Sequence, residues 1–410
     1  MSTALTTDDE LVHTHPLAAQ ADQILDELTP RLRRLADDLH DDPEIAYQEH
    51  RSVGRIVALL SEYGIDAEVG AYGVPTAFRA RVGSGEPRVA ILAEYDALPG
   101  IGHACGHNLI AASSVGAFLT AHRLLPTVGT VELIGTPAEE GGAGKQRILE
   151  AGGFDGLAAA LMVHPGSVTR VYGTGLGMRH VEVVYNGVEA HASAAPQRGY
   201  NALDAVVTAY QSIAQLRQHI LPSDRVHGII TDGGQAPNIV PGRAAAHFYV
   251  RSATLGGLAD LSDRVDAALR GAAVSTGTEA QIEWDGSPAY LPVNVNTALA
   301  DRFVRNLRGR REFPPPTPGE VGGGSTDMGN VSHVVPAIHP NIATAPPGVG
   351  GHSAAFTPTT LLPLATQGIV DAAFGLATTT LDVLTDAELR TTIAADFALA
   401  SDRAAKENRA

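Results

Sequence analysis

The sequence predicts an α/β protein into which a smaller β-α-β-β-α-β module is inserted. Two observations carry this. Short apolar runs ending in small or polar residues, RVAILAEYDALPG (88–100), TVELIGTPAEEGG (130–142) and LAAALMVHPG (157–166), alternate with helical patterns such as NLIAASSVGAFLTAHRLL (108–125) and KQRILEAG (145–152). Strand, loop and helix in succession mark a mostly parallel sheet that binds ligands at the carboxyl ends of its strands. Near Gly177 the pattern changes to a strand and turn (MRHVEVVYNGVEAHAS) and a long helix (199–220). Two pairing strands (RVHGIITDGG and AAAHFYVRSA), a second helix (LGGLADLSDRVDAALRGAAVSTG) and a last strand (AQIEWDGSPAY) follow. That order is a split four-stranded sheet with two helices on one face, the ferredoxin-like arrangement.

Before the first strand, PLAAQADQILDELTPRLRRLADDLHDDPEIAY has apolar residues at mixed three- and four-residue spacings, and Pro30 is expected to interrupt or start a helix there. A second helix, SVGRIVALLSEYG, should stop at Gly64. The expected division is an outer, discontinuous domain of residues 1–176 and 290–410 around an inserted module of residues 177–289. Insertion is tolerated where a module's termini lie close together. FPPPTPGEVGGGSTDMG, near the return, reads as a rigid and then flexible connection within the outer domain.

Composition narrows the function. The chain has 410 residues and a formal net charge of −16, without a block of Lys or Arg. Nucleic acid and anionic membranes are therefore poor partners, because both need a basic stripe. A single cysteine forms no internal disulfide. The first residues, MSTALTTDDELVHTHPL, are acidic where a signal peptide would be basic. No apolar run approaches the ~20 residues of a membrane span, so the expected compartment is the cytoplasm.

Chemistry-bearing residues follow the strands. Glu94 and Asp96 follow the first, then His103, Cys105 and His107 in GIGHACGHN; Glu139–Glu140 follow the second, and His164 the third. GVGGHSAAF supplies His352 near the C-terminus. Cys105 and His107, two apart, do not share a helix face and need an irregular loop. A thiolate is a strong ligand whose pKa a neighbouring cation lowers. Adjacent carboxylates on a loop point in different directions, so one can hold a metal while the other acts as general base. Taken singly, a buried cysteine is ordinarily a small hydrophobe and an acidic pair before glycines a solvated turn. The joint pattern at successive strand ends is what stands out.

EYDALPGIGHACGHN, GTPAEEGG, MVHPG, GVEAHASAAPQRGYNALDA, GGQAPNIVP, GGGSTDMGNVSHVVPAIHP and GGHSAAF resemble, in order, the motifs of the dinuclear metallopeptidase–aminoacylase family. That family includes carboxypeptidase G, hippurate hydrolase and the indoleacetyl-amino-acid hydrolases. EYDALPGIGHACGHN and STDMGNVSHVVP point to its aminobenzoyl-glutamate hydrolase and β-alanyl-lysine dipeptidase branch. The resemblance spans residues 39–356. It implies a zinc-peptidase-like catalytic domain with a central, mostly parallel sheet, and a lid or dimerisation domain in the inserted module.

By the same resemblance, Cys105, His107, Glu140, His164 and His352 are metal ligands for two divalent ions. Zinc comes first among these, with manganese, cobalt or nickel as alternatives. Cys105 stands where related peptidases use a bridging aspartate. Glu139 is the expected general base and Asp96 the carboxylate that orients a ligand imidazole. His191, in EAHASAAP, is similar to a histidine that reaches a dimer partner's active site and helps stabilise the oxyanion. Asn238 and Arg251 are suited to holding substrate polar groups, unless Asn238 is only turn chemistry and Arg251 only caps a strand edge. Asp327 either shapes the substrate pocket or N-caps a short helix. His103 fits less well as a ligand, and the role of Glu94 stays open. The implied activity is metal-dependent hydrolysis of the amide bond of an N-acyl amino acid or small dipeptide, by a homodimer. The competing readings are an N-acetyl amino acid deacetylase, a metal-dependent binding protein without catalysis, and a redox protein built on Cys105. The last lacks a resolving cysteine.

Overall fold

A computed structural model describes residues 15–125, 128–172, 175–315 and 323–407. Residues 1–14 of the acidic N-terminal stretch, and 316–322 of the proline- and glycine-rich connection, lie outside the described residues.

The larger sheet has six strands in the order Ala67–Val69, Phe78–Ser84, Gly129–Gly135, Arg88–Ala93, Ala159–Leu161 and Ala337–Ile338. The first two pairings are antiparallel and the other three parallel. The antiparallel edge, whose signal is the alternation in FRARVGS, adds two strands to the predicted parallel core. Both faces of the parallel part are covered, which is why its strands read as near-continuous apolar runs, with the buried Glu132 as an exception. Val89, Ile91 and Ala93 point into one core with the helices Ala18–Asp41, His107–Arg123 and Pro363–Thr385. Ala90 and Leu92 point into a second core with Ile110, Ile148 and Met328. Three helices converge at Gly116, where a Cβ would lie 2.6 Å from Leu32 Cδ1 and 3.2 Å from Ala373 Cβ.

Two expectations change here. The first helix, Ala18–Asp41, runs straight through Pro30. Pro30 forfeits one backbone hydrogen bond, but Leu25, Leu28 and Leu32 on either side are fully buried, and their burial outweighs that loss. Pro363–Thr385, with 23 residues, is long and apolar enough to cross a bilayer by length and composition alone, which the sequence reading did not anticipate. Its Ala, Thr and Gly residues are buried nearly all round against the core, so it is the central helix of this domain.

The second sheet has four strands, ordered Glu279–Trp284, Gly177–Asn186, Arg243–Ser252 and Arg225–Asp232, all antiparallel. Helices Ala202–Leu216 and Leu255–Thr276 cover one face, and Val181, Val183, Tyr185, Phe248, Val250 and Leu269 fill the space between. Asn201 and Thr254 cap these helices through their side chains. A small ribbon, Ala190–His191 against Ile239–Val240, projects from this unit. The strands entering and leaving it meet at Met178 and Tyr290, whose backbones exchange hydrogen bonds of 2.7 and 2.9 Å.

Candidate metal and active site

Four parallel strands aim their carboxyl ends at one place. Arg88–Ala93 runs into Glu94 and Asp96, Gly129–Gly135 into the loop of Glu139 and Glu140, Ala159–Leu161 into His164, and Ala337–Ile338 into His339. The loop after Ala93 carries Cys105, and His107 opens the helix that follows. Gly106 makes that junction possible. It has φ +81°, and a Cβ there would sit 2.6 Å from Pro165 Cγ, so only glycine lets Cys105 and His107 converge.

The imidazoles are oriented from behind. Asp96 Oδ1 accepts from His107 Nδ1 at 2.9 Å, and Asp96 Oδ2 accepts from the Glu140 backbone N at 2.9 Å. One carboxylate thus aligns a histidine and the glutamate loop. With its proton on Nδ1, His107 turns the bare Nε2 toward Glu94 Oε2 (3.4 Å), Glu139 Oε2 (3.9 Å) and Glu140 Oε1 (3.9 Å). His164 donates through Nδ1 to the Pro165 carbonyl at 2.7 Å, leaving Nε2 facing Cys105 Sγ at 3.4 Å. His352 Nε2 lies 3.2 Å from Glu140 Oε1.

These donors fit divalent ions. His107 Nε2, Glu94 Oε2 and Glu140 Oε1 are buried without a hydrogen-bond partner, and they are acceptors facing one another. Only a cation or a shared proton reconciles them. Cys105, His107 and His164 bring their ligand atoms within 4.8 Å of one another, and so do Cys105, Glu140 and His352. Cys105 belongs to both triads, the position of a shared anion.

The electrostatics agree. Burial alone would raise the Cys105 thiol, yet His164 and His107 beside it hold it well below the ordinary range. Burial opposes a charge on His107, but Asp96, Cys105 and Glu94 push it well above the usual imidazole value. Cys105 and Glu140 beside it push His352 up to about 10. Burial, reinforced by Glu94 and Glu140, pushes Glu139 well above the carboxylate range. These shifts mark a buried, predominantly anionic cluster, an environment that favours cations.

The remaining sequence candidates are distributed differently. Asp327 occupies the first position before the helix Met328–Ser332 but makes no side-chain cap there. Its fully buried carboxylate accepts from Lys145 Nζ at 2.5 Å and Lys145 N at 2.9 Å, and carboxylate oxygens of Asp327, Glu94 and Glu139 lie within 4.8 Å of one another. Arg251 lies on an inner strand, paired with both Met178 and Arg225, and therefore caps no sheet edge. Its Nη1 donates to Ser325 Oγ at 2.8 Å, across to the larger domain. His191 and Asn238 are exposed neighbours on the small ribbon, where the Ala192 N donates to the Asn238 O. Among the described residues, no hydrogen bond or ion pair joins His191 to the metal cluster. His103 is buried with both ring nitrogens unpartnered.

The structure adds residues that the sequence reading passes over. Lys145 is fully buried, and its Nζ also donates to Glu94 Oε1 at 2.5 Å. This gives Glu94 a structural explanation: one oxygen is held by Lys145 while the other faces His107. Burial disfavours the ammonium, but Asp327 and Glu94 keep its pKa above the ordinary lysine value. The signal was present, since the only lysines in the chain are Lys145 and Lys406. Replacing Lys145 with Met leaves two buried carboxylates unpaired and should cost about 3–5 kcal/mol of stability. Urea unfolding of the metal-free protein measures this, and Lys145→Arg should not fully restore it, because a planar guanidinium fork does not reproduce the compact ammonium that two carboxylates hold here. His339 completes the set, its ring 5.4 Å from that of His164.

The chain is similar to known proteins over most of its length. A family profile described as a peptidase dimerisation domain matches residues 175–276. The chain is 36% identical over 405 residues to the Xaa-Arg dipeptidase of Homo sapiens, covering 93% of this chain and 92% of that one. The chain belongs to the M20 peptidase family. It is a hydrolase of carbon–nitrogen amide bonds, as the resemblance implied. It is also 33% identical over 285 residues to a component of the p-aminobenzoyl-glutamate hydrolase of Escherichia coli, covering 64% of this chain and 59% of that one. A dinuclear metal-binding M20 peptidase from Bacillus subtilis has the same fold, with a TM-score of 0.67 at 22% identity, covering 87% and 99% of the two chains.

Proposed function

We propose that this M20 hydrolase is a dipeptidase that removes a C-terminal basic residue, using two divalent ions held by Cys105, His107, Glu140, His164 and His352. The observation that carries the chemistry is the pair of donor triads sharing Cys105, with Glu139 beside them. The likeness to the Xaa-Arg dipeptidase over nearly the whole of both chains supports the substrate class. A net charge of −16 favours a cationic substrate in the same direction, though salt screens that field. Thiolate and imidazole donors suit zinc first. A thiolate ligand also suits a reducing compartment, and the cytoplasm is the one this reading assigns.

Bound divalent ions would lower the pKa of a water and polarise the scissile carbonyl. Glu139 takes the proton of the attacking water and returns it to the leaving amine. Asp96 keeps His107 and the Glu140 loop aligned. Arg251 pairs with the substrate carboxylate and Asn238 accepts or donates at its polar groups. His191 supports the oxyanion: its Nδ1 accepts from Ser193 N (3.3 Å) and Ala194 N (3.2 Å), which puts the proton on Nε2, facing outward as a donor.

In this reading residues 1–176 and 290–410 form the catalytic domain, and 177–289 the lid through which a homodimer assembles. Ile229 and Ile230, 65% and 44% exposed on the edge strand Arg225–Asp232, leave an apolar edge suited to a second copy. His191 then serves the partner's site. Co-expressing His191→Ala with Glu139→Gln should restore about a quarter of wild-type activity, because half the dimers carry one complete site. No restoration would mean that His191 acts within its own chain or not at all.

The substrate assignment is tested by mass spectrometry with three substrates: β-alanyl-lysine, p-aminobenzoyl-glutamate and an N-acetyl amino acid. Each is assayed with and without chelator. Chelator-sensitive cleavage of the first alone is the expected result. Preference for either of the others would overturn the substrate class while leaving the hydrolase intact.

A further inference from the structure

The loop 136–144 carries Glu139 and Glu140, and its backbone is strained. Ala138 and Ala143 have φ of 57° and 51°, a left-handed conformation that a Cβ disfavours. Such a conformation persists only where surrounding groups over-determine it. Here Glu49 Oε1 accepts from Ala138 N at 2.9 Å, Asp96 Oδ2 accepts from Glu140 N, and Tyr47 OH donates to the Gly142 carbonyl at 2.6 Å. All three of these side chains come from the catalytic domain.

Tyr290 differs. Its hydroxyl donates to the Glu139 carbonyl at 2.5 Å and accepts from Gly141 N at 3.1 Å and Ala143 N at 3.2 Å. A phenol has one proton and two lone pairs, so all of its hydrogen-bonding capacity is spent on this loop. Burial, with Asp327 and Glu139 nearby, raises its pKa and keeps the proton on the oxygen. Tyr290 lies on the segment returning from the inserted module, where its backbone pairs with Met178 on the outgoing strand.

We propose that Tyr290 is a positioning residue for the general base, tying the Glu139 loop to the crossing point between the two domains. The proposal rests on the reading of Glu139 as the base. Without the hydroxyl, the Ala143 amide loses its partner, the Glu139 carbonyl and the Gly141 amide keep only the 2.7 Å bond between them, and the loop loses its tether from the module's return segment. The Glu139 carboxylate then no longer stands in fixed register with the substrate. Tyr290 touches backbone only, so it acts through Glu139.

Tyr290→Phe keeps the ring and its packing, which makes it the variant of choice. The expected result is a kcat lower by about 10–100-fold with KM unchanged, as for a misplacement on the order of 1 Å. Metal content should stay at the wild-type level. Hydrogen exchange should accelerate in the peptide spanning 137–145 and nowhere else, with or without metal. A kcat within twofold of wild type would overturn the proposal. So would a rise in KM at constant kcat, or exchange that accelerates throughout the chain, the mark of a merely structural role. If the variant does not fold, the wild-type peptide decides: this loop must exchange slowly, and rapid exchange there sinks the tether. Glu139→Gln measured alongside separates the two ideas. An active Glu139→Gln enzyme removes the general-base reading, whereas an inactive one beside a fully active Tyr290→Phe removes the tether alone.

Discussion

Substituting Gln for Glu139 should abolish turnover by about 10²–10⁴-fold while leaving the metal content intact. The two donor triads that share Cys105 do not include Glu139, although it also groups with His107 and Glu140; with Glu139 as base, the ions keep the ligands of the first two. Glutamine has nearly the same shape and preserves the backbone contacts that Tyr290 makes with the loop. What it loses is the ability to take a proton. Burial and the neighbouring Glu94 and Glu140 raise the Glu139 pKa, and that environment suits a group which must hold a proton between attack and departure of the amine. Metal analysis beside steady-state kinetics distinguishes the outcomes. Full metal with lost kcat supports the assignment. Lost metal would make Glu139 a ligand, and a variant retaining more than about a tenth of wild-type kcat would falsify its role as base.

Much of this architecture could be read from the chain because the parallel strands are buried on both faces and end in chemistry. The runs before Glu94, Glu139 and His164 are mainly apolar, with Glu132 the buried exception, and each leads into a loop that carries its polar residue. The inserted module was legible for a different reason: its strands alternate and its helices are amphipathic, so the change in period near Gly177 marks its edge. Pro30 misleads because proline's local cost is visible in sequence while the burial of Leu28 and Leu32 is not. The site's support is harder still. Lys145 meets Glu94 and Asp327 across separations of 51 and 182 residues, and Tyr290 reaches Glu139 across 151. No periodicity encodes such contacts. A lysine in a chain that otherwise prefers arginine was the one available hint. Arg251 and Asp327 show the complementary case, where residue type was informative but the partner, Ser325 or Lys145, was not.

Cys105 offers the sharpest test of the metal centre, because two triads depend on one sulfur. Cys105→Ser keeps the size of the side chain but presents a neutral hydroxyl where a shared anion is needed. Bound metal is expected to fall from two ions per chain to one or none. Activity should drop further than the roughly 10–100-fold that follows loss of an outer partner. Cys105→Asp should recover both ions and part of the activity, since a carboxylate also bridges two cations. The pair of variants separates charge from sulfur: if Asp rescues and Ser does not, the requirement is for the anion. Alkylation supplies an independent readout. His164 and His107 lower the pKa of the Cys105 thiol, so iodoacetamide should label the metal-free protein quickly and zinc should protect it. Labelling that proceeds equally fast with zinc bound would mean the sulfur is not a ligand. The two-triad site would then lose the atom its halves share.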